Sequence, residues 1–267
     1  MSRADVLRFE KVRVRRGKRV LLDQLHGQVG QGEFLALVGE NGCGKSSLLQ
    51  VLAGLTDADS GQIWLAQTPL AKWQADDLSR RRAMMNQSAQ IHFGFLTEDI
   101  LLLGRSLCTE TRQQSISLAL RVSQWLDISH LFGRDVRTLS GGERQRVMLG
   151  KTLLQLFSPS CKEPEKADLS GRLLLLDEPT SALDYRHQKQ VMGCLHQLCQ
   201  QGLAVVCVSH DLNLILPYAS TLYMLAEEHC IAVGPVKQVL TEDNLLRCFG
   251  THLKLVDRPG QAPFITH

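Results

Sequence analysis

Residues 34–49 read FLALVGENGCGKSSLL, a short apolar run that empties into glycines and then into lysine and serine. Phe34, Leu35, Ala36, Leu37 and Val38 are apolar without alternation, the pattern of a strand buried on both sheet faces, and Gly39 ends it. Gly39, Gly42 and Gly44 can take backbone angles closed to other residues, so successive N–H groups can turn inward around an anion. A helix starting near Lys45 adds its positive end. The run fits G-x-x-x-x-G-K-[ST] in the strand-loop-helix setting that the motif requires. It predicts a phosphate cradle in which Lys45 reaches the β- and γ-phosphates and Ser46 puts a hydroxyl on the magnesium that bridges them.

Around this loop lies enough chain for one large domain with a subdomain, 267 residues in all. A hydrophobic content of 44%, a charged content of 21% and a net charge of +3 are ordinary for a globular protein and give no basis for nucleic-acid binding. No apolar run approaches the roughly 18 residues needed to cross a bilayer, and the opening MSRADVLRFE lacks a signal peptide's apolar centre, so a cytoplasmic location is expected. The eight cysteines form no CxxC pair, which favours reduced thiols over metal or disulfides. Cys43, inside the loop and expected beside bound phosphate, reads as an inert small residue, with a reactive thiol as the alternative.

Before the cradle, residues 6–9, 12–14 and 20–22 predict antiparallel strands joined by the basic turn of Arg15, Arg16, Gly17, Lys18 and Arg19. After it, residues 63–65 and 83–85 read as short strands, the second running into Gln87. From Thr97 the pattern becomes helical: a threonine cap followed by acids, then apolar residues at helical spacing over 113–126. Ser140, Gly141 and Gly142 open another helix, whose bare N–H groups and serine hydroxyl suit either a second anion site or a capped helix start. Residues 158–170 read as an exposed loop.

Residues 173–176 are four leucines ending in Asp177 and Glu178, carboxylates at the strand end where parallel sheets bind ligands. Asp177 is expected to hold magnesium through water, and Glu178 to orient or deprotonate an attacking water. A further buried strand over 203–208 ends at Ser209, His210 and Asp211, which places His210 on the same edge, within reach of a γ-phosphate oxygen. Short strands near 222–225 and 229–233 and a helix over 241–249 follow, and the last ten residues read as frayed.

The order cradle, glutamine, LSGGERQR, LLLLDEP, SALD, SHD closely resembles the nucleotide-binding subunit of ATP-binding-cassette (ABC) transporters over nearly the whole chain. The resemblance implies an α/β fold, a P-loop NTPase core with a mainly parallel sheet, an N-terminal antiparallel β subdomain and a helical subdomain inserted at about 88–155 of a single 1–267 domain. It implies ATP and Mg2+ as cofactors, with Gly39, Glu40, Asn41, Gly42, Cys43, Gly44, Lys45, Ser46 and Ser47 as Walker A and Gln87 as the Q-loop. Leu139 to Gln145 would be the signature, Asp177 and Glu178 Walker B, Ser181 to Asp184 the D-loop and His210 the switch histidine. Glu178, His210 and Gln87 would be catalytic, and Ser46, Gln87 and Asp177 would surround the metal. It further implies a head-to-tail homodimer in which Ser140, Gly141 and Gly142 of one subunit face the γ-phosphate on Lys45 of the other. One departure stands at the N-terminal turn, where the family places an aromatic residue against adenine; Arg16 is the expected substitute, its guanidinium plane stacking on the base with less area than a ring.

Three details are similar to the ATPase subunits of bacterial haem importers: FGFLTEDILLLGR after Gln87, the polar loop before the second Walker motif, and DEPTSALDYRHQ. They imply haem import across the bacterial inner membrane, with the subunit peripheral on the cytoplasmic face, two permease partners and an indirect periplasmic haem-binding partner. Ferric-siderophore or vitamin B12 import is the alternative, and a soluble ABC ATPase a more distant one, disfavoured by the lack of coiled-coil heptads and of a second GxxxxGKS. Residues 93–105 are expected to form the permease-docking surface, the other reading being burial within the helical subdomain.

Overall fold

The protein is described by a computed structural model covering residues 5–87, 93–258 and 262–266. Strands β1 (Asp5–Arg16) and β2 (Arg19–Gly30) form the expected basic-tipped antiparallel hairpin. β3 (Phe34–Gly39) then passes through the glycine loop into α1 (Lys45–Leu52). β4 (Ser60–Leu65) and β5 (Thr68–Pro69) complete a four-stranded antiparallel sheet of order β2-β1-β4-β5. After α2 (Ala75–Arg81) and β6 (Arg82–Met85) come three helices, α3 (Thr97–Leu103), α4 (Arg112–Trp125) and α5 (Gly141–Leu154), before the chain returns in β7 (Leu173–Asp177). α6 (Tyr185–Gln200), β8 (Ala204–Val208), α7 (Leu212–Ile215), β9 (Thr221–Leu225), β10 (Cys230–Pro235), α8 (Val236–Val239) and α9 (Glu242–Phe249) follow. The central sheet has six strands in the order β10-β9-β3-β8-β7-β6, parallel except for β10.

The unbroken apolar runs explain the two-sided core. A strand sends successive side chains to opposite faces, so Phe34, Ala36 and Val38 enter one apolar cluster with the helices α3 to α6, while Leu35 and Leu37 enter the other, under α1 and the antiparallel sheet. β7 divides its leucines in the same way, Leu174 and Leu176 against Leu173 and Leu175. Because β3, β7 and β8 are parallel neighbours, their C-terminal ends fall side by side, and the loops that carry chemistry leave from one edge.

Four expectations need correction. Thr97 is not a side-chain cap: Leu96 occupies that position, and the Thr97 hydroxyl and backbone N–H both donate to the Arg134 carbonyl instead. The loop over 158–170 is anchored, with Pro164 and Leu169 buried. The described part of the tail is not frayed, residues 259–261 and 267 lying outside the described residues: β11 (Lys254–Val256) pairs with β12 (Phe264–Thr266), and the Asn213 side chain on α7 exchanges two hydrogen bonds, of 2.9 and 2.8 Å, with the backbone of Ile265. Finally, residues 93–105 are only partly a surface. Phe93 (74% exposed), Phe95 (41%), Leu96 and Leu103 face outward, whereas Ile100, Leu101 and Arg105 are buried.

Arg105 is buried because it has a complete set of partners. It forms an ion pair with Glu110 in which the two side chains are 2% and 3% exposed, and it donates to the Leu154 and Phe157 carbonyls. Burial alone would raise the Glu110 carboxyl, but hydrogen bonds from Arg105 and Ser115 outweigh it and hold the group below its usual range. The pair ties the end of α3 and the start of α4 to the end of α5. Removing one partner leaves an uncompensated buried charge, so Arg105→Ala should lower stability by about 3–5 kcal/mol. Denaturant unfolding checks this, and a loss below about 1 kcal/mol would class the pair with exposed ones.

Candidate functional site

The loop between β3 and α1 folds around the ammonium of its own lysine. Lys45 is 6% exposed, and its Nζ donates to the carbonyls of Gly39 (2.9 Å) and Glu40 (2.6 Å). The turn needs glycine at Gly42 and Gly44, where φ is 82° and 102°. At Gly39 a Cβ would lie 2.2 Å from the Leu225 carbonyl oxygen. Gly44 caps α1 without any side-chain hydrogen bond, and the first turn holds no acid, so the helix's leading N–H groups remain available to an anion. No carboxylate among the described residues lies within ion-pair distance of Lys45, although buried charges are normally paired.

Asp177, at the end of β7, is 4% exposed, and its Oδ1 has no hydrogen-bond partner. Burial pushes its carboxyl above the ordinary range, opposed by a hydrogen bond from the Ser46 hydroxyl and by the nearby charge of Lys45. An orphaned buried carboxylate oxygen beside a hydroxyl is a hard-oxygen donor set suited to a magnesium ion.

Glu178, one residue on, turns sharply, with φ at 51°. Left-handed backbone is costly for a side chain bearing a Cβ and concentrates at functional sites. Its carboxylate bridges two loops: Gln87 Nε2 donates to Oε2 at 2.7 Å, and His210 Nε2 contacts Oε1. Its backbone N–H donates to the Val208 carbonyl at the end of β8 (3.1 Å), which sets β7 and β8 in step at their exits.

Asn41, Gly42, Gly44, Lys45, Ser46, Ser47, Gln87, Glu178, His210 and Arg16 line one cleft of about 670 Å3, together with Arg19 and Leu21. Asp177 lies beneath it, against Ser46. Glu40 faces an adjoining cavity bounded also by His210 and the tail hairpin. The Cys43 side chain is buried under the loop, where burial raises its thiol, so only its backbone is placed to meet an anion. Ser140, Gly141 and Gly142 are not among the lining residues. Ser140 caps α5 reciprocally, accepting from Glu143 N–H while its own N–H donates to the Glu143 carboxylate (2.7 Å), and Ser140 and Gly141 are exposed.

The place of one residue in the cleft and the contacts of another escaped the sequence reading. Arg19 stands directly across the hairpin from Arg16, in the basic turn, and lines the cleft beside it. Gln145, on α5, donates to the Glu178 carbonyl (2.8 Å) and the Ser181 hydroxyl (3.2 Å) and accepts from Ala182 N–H (3.0 Å). The signature segment had already included it, but its partners lie 33 to 37 residues away, so no local pattern could have marked those contacts.

Residues 22–158 match the family model described as "ABC transporter". The chain is 38% identical over 256 residues to the hemin import ATP-binding protein HmuV of Myxococcus xanthus, covering 95% of this chain and 93% of that protein. It is 35% identical over 257 residues to the protein of the same name from Pseudomonas aeruginosa, covering 96% and 97%. Among solved structures, an ABC transporter assigned to the metal-chelate type, in an inward-facing conformation, superposes with a TM-score of 0.78 at 25% identity over 98% of this chain and 97% of that one. With the glycine loop, Gln87, Glu178 and His210 assembled around one cleft of the matching fold, the chain belongs to the ABC transporter family, as an ATP-hydrolysing subunit.

Proposed function

We propose that the chain hydrolyses MgATP in the cleft between the glycine loop and Glu178, and that this energises haem import through a pair of membrane permeases. The observation that carries the hydrolytic part is the buried Lys45 ammonium, solvated by two loop carbonyls and the Cys43 sulfur and lacking a carboxylate partner among the described residues. A triphosphate laid along the loop supplies the missing negative charge. The α1 N-terminus and the turned backbone of Asn41 to Ser47 donate to its oxygens. Ser46 and Asp177, with Gln87, would hold Mg2+, which would supply charge neutralisation to the phosphates. Glu178 orients and deprotonates the attacking water, and His210, beside it, donates to the γ-phosphate.

Ser140, Gly141 and Gly142 complete this site from a second copy. Their capped, exposed helix start does not reach the cleft of its own chain and suits the γ-phosphate of a partner bound head to tail. Gln145 is the positioning link: it connects the helix that would contact the partner's nucleotide to the backbone of Glu178.

The substrate reading rests on the relatives named for hemin import, 33% to 38% identical over about 95% of the chain. The structural likeness to a metal-chelate type transporter favours a chelated metal and keeps ferric siderophores as the second reading. No described helix is long and apolar enough to cross a membrane, in keeping with a peripheral subunit on the cytoplasmic face of the inner membrane, whose periplasmic haem-binding partner acts only through the permeases. The exposed side chains of Phe93, Phe95, Leu96 and Leu103 form an apolar patch suited to an amphipathic permease helix.

Lys45→Ala should remove nucleotide binding or turnover, and undiminished hydrolysis would refute the cradle. Glu178→Gln should retain ATP binding and lower turnover by about a hundredfold or more, because the amide keeps the shape without accepting a proton. Gln145→Ala should leave ATP affinity within about twofold while turnover falls about tenfold or more; equal losses in both would assign Gln145 to binding. Phe95→Ser should keep the melting temperature within about 3 °C but abolish co-purification with the permeases and growth on haem. A destabilised variant that still assembles would sink the docking surface, and loss of growth on a ferric siderophore alone would move the substrate to that class.

A further inference from the structure

Four arginines cluster at the tip of the β1–β2 hairpin, and three are occupied. Arg13 grips Asp23 through two hydrogen bonds of 2.7 Å, Arg15 lies 3.2 Å from Asp59, and Arg19 donates to Glu227 at 2.6 Å. Arg16 has no carboxylate partner among the described residues, yet it lines the cleft. The orientation of a nucleotide there follows from the rest of the lining. Lys45 and Ser46 mark the phosphates, and Gln87, Glu178 and His210 lie beyond the γ position, so the base falls at the remaining end, against Arg16, Arg19 and Leu21. That end is lined by two guanidinium groups and one aliphatic side chain, with no aromatic ring among the lining residues, and the Glu227 carboxylate beside it is engaged by Arg19.

We propose that Arg16 reads the edge of the purine base, so that the cleft binds guanine nucleotides at least as tightly as ATP. The proposal rests on the phosphate-cradle reading above and extends it to the base. Guanine presents O6 and N7, two adjacent acceptors that match the planar fork of an arginine. Adenine presents N7 beside the N6 amine, and that amine would point its hydrogens at another donor. Arg19, held by Glu227, supplies charge but not a second free fork. A guanidinium lying flat on the ring would instead contribute equally to either purine, since every base offers a π-face.

Displacement of a ribose-labelled fluorescent ADP by ATP, GTP and ITP separates these arrangements. ITP carries O6 and N7 without guanine's 2-amino group. For the wild type, GTP and ITP should displace the label at concentrations no higher than ATP. In both Arg16→Ala and Arg16→Lys, GTP and ITP should weaken by about tenfold more than ATP does. The lysine variant keeps the charge and loses the fork, and melting temperatures confirm that these exposed-site variants are folded. In the two variants, equal weakening of all three nucleotides, or ITP weakening only as much as ATP does, would overturn edge reading while leaving the cradle intact. Failure of every triphosphate to displace the label would overturn the cradle as well.

Discussion

A buried ammonium is the constraint around which this molecule is arranged. Lys45 cannot be taken out of water without replacement partners, since an unsolvated charge in an apolar interior costs several kcal/mol or more. The carbonyls of Gly39 and Glu40 supply those partners only because the loop doubles back, and it doubles back only because glycines accept its positive φ angles. A loop of that shape needs a strand delivering it and a helix receiving it at fixed positions, which the two-faced packing of β3 provides. The parallel neighbours β7 and β8 then bring Asp177, Glu178 and His210 to the same rim. Ligand chemistry and folding chemistry here use the same groups.

Glu178 shows how several elements converge on a few atoms. Its backbone is held from one side by Val208 at the end of β8 and from another by Gln145 on α5, and its carboxylate is shared between Gln87 and His210. Three other segments, carrying Gln87, Gln145 and the pair Val208 and His210, therefore meet at one residue in a strained conformation. A displacement of α5 relative to the sheet must move that backbone, so the helix cannot shift without the carboxylate registering it. This is a physical basis for coupling a remote contact to the water activation proposed for Glu178, carried by named hydrogen bonds rather than by proximity.

What the sequence disclosed follows from the range of the forces involved. The parallel strands were legible because burial on both faces leaves an unbroken apolar run, and the loop because its glycines, lysine and serine are contiguous. The reciprocal cap at Ser140 and Glu143 was half visible: the serine announced a helix start, which also fits an anion site. Long-range polar partners were not legible. Gln145 acts across 33 to 37 residues, and Arg105 looks like any surface arginine until Glu110 and two helix-end carbonyls are folded around it. The tail deceived for another reason: β11 and β12 are three residues each, too short to carry a periodic signal.

That tail hairpin also changes how deletions in this protein are to be interpreted. The Asn213 amide, only three residues past His210, both donates to and accepts from the backbone of Ile265. Removing β12 would leave that amide without partners at the foot of the loop carrying His210, and would open the cavity shared by Glu40, Asn41 and the hairpin. A screen of C-terminal truncations would thus score losses of turnover from residues that never touch the nucleotide. The boundary between a dispensable extension and the catalytic apparatus runs through the last strand of the chain rather than ahead of it.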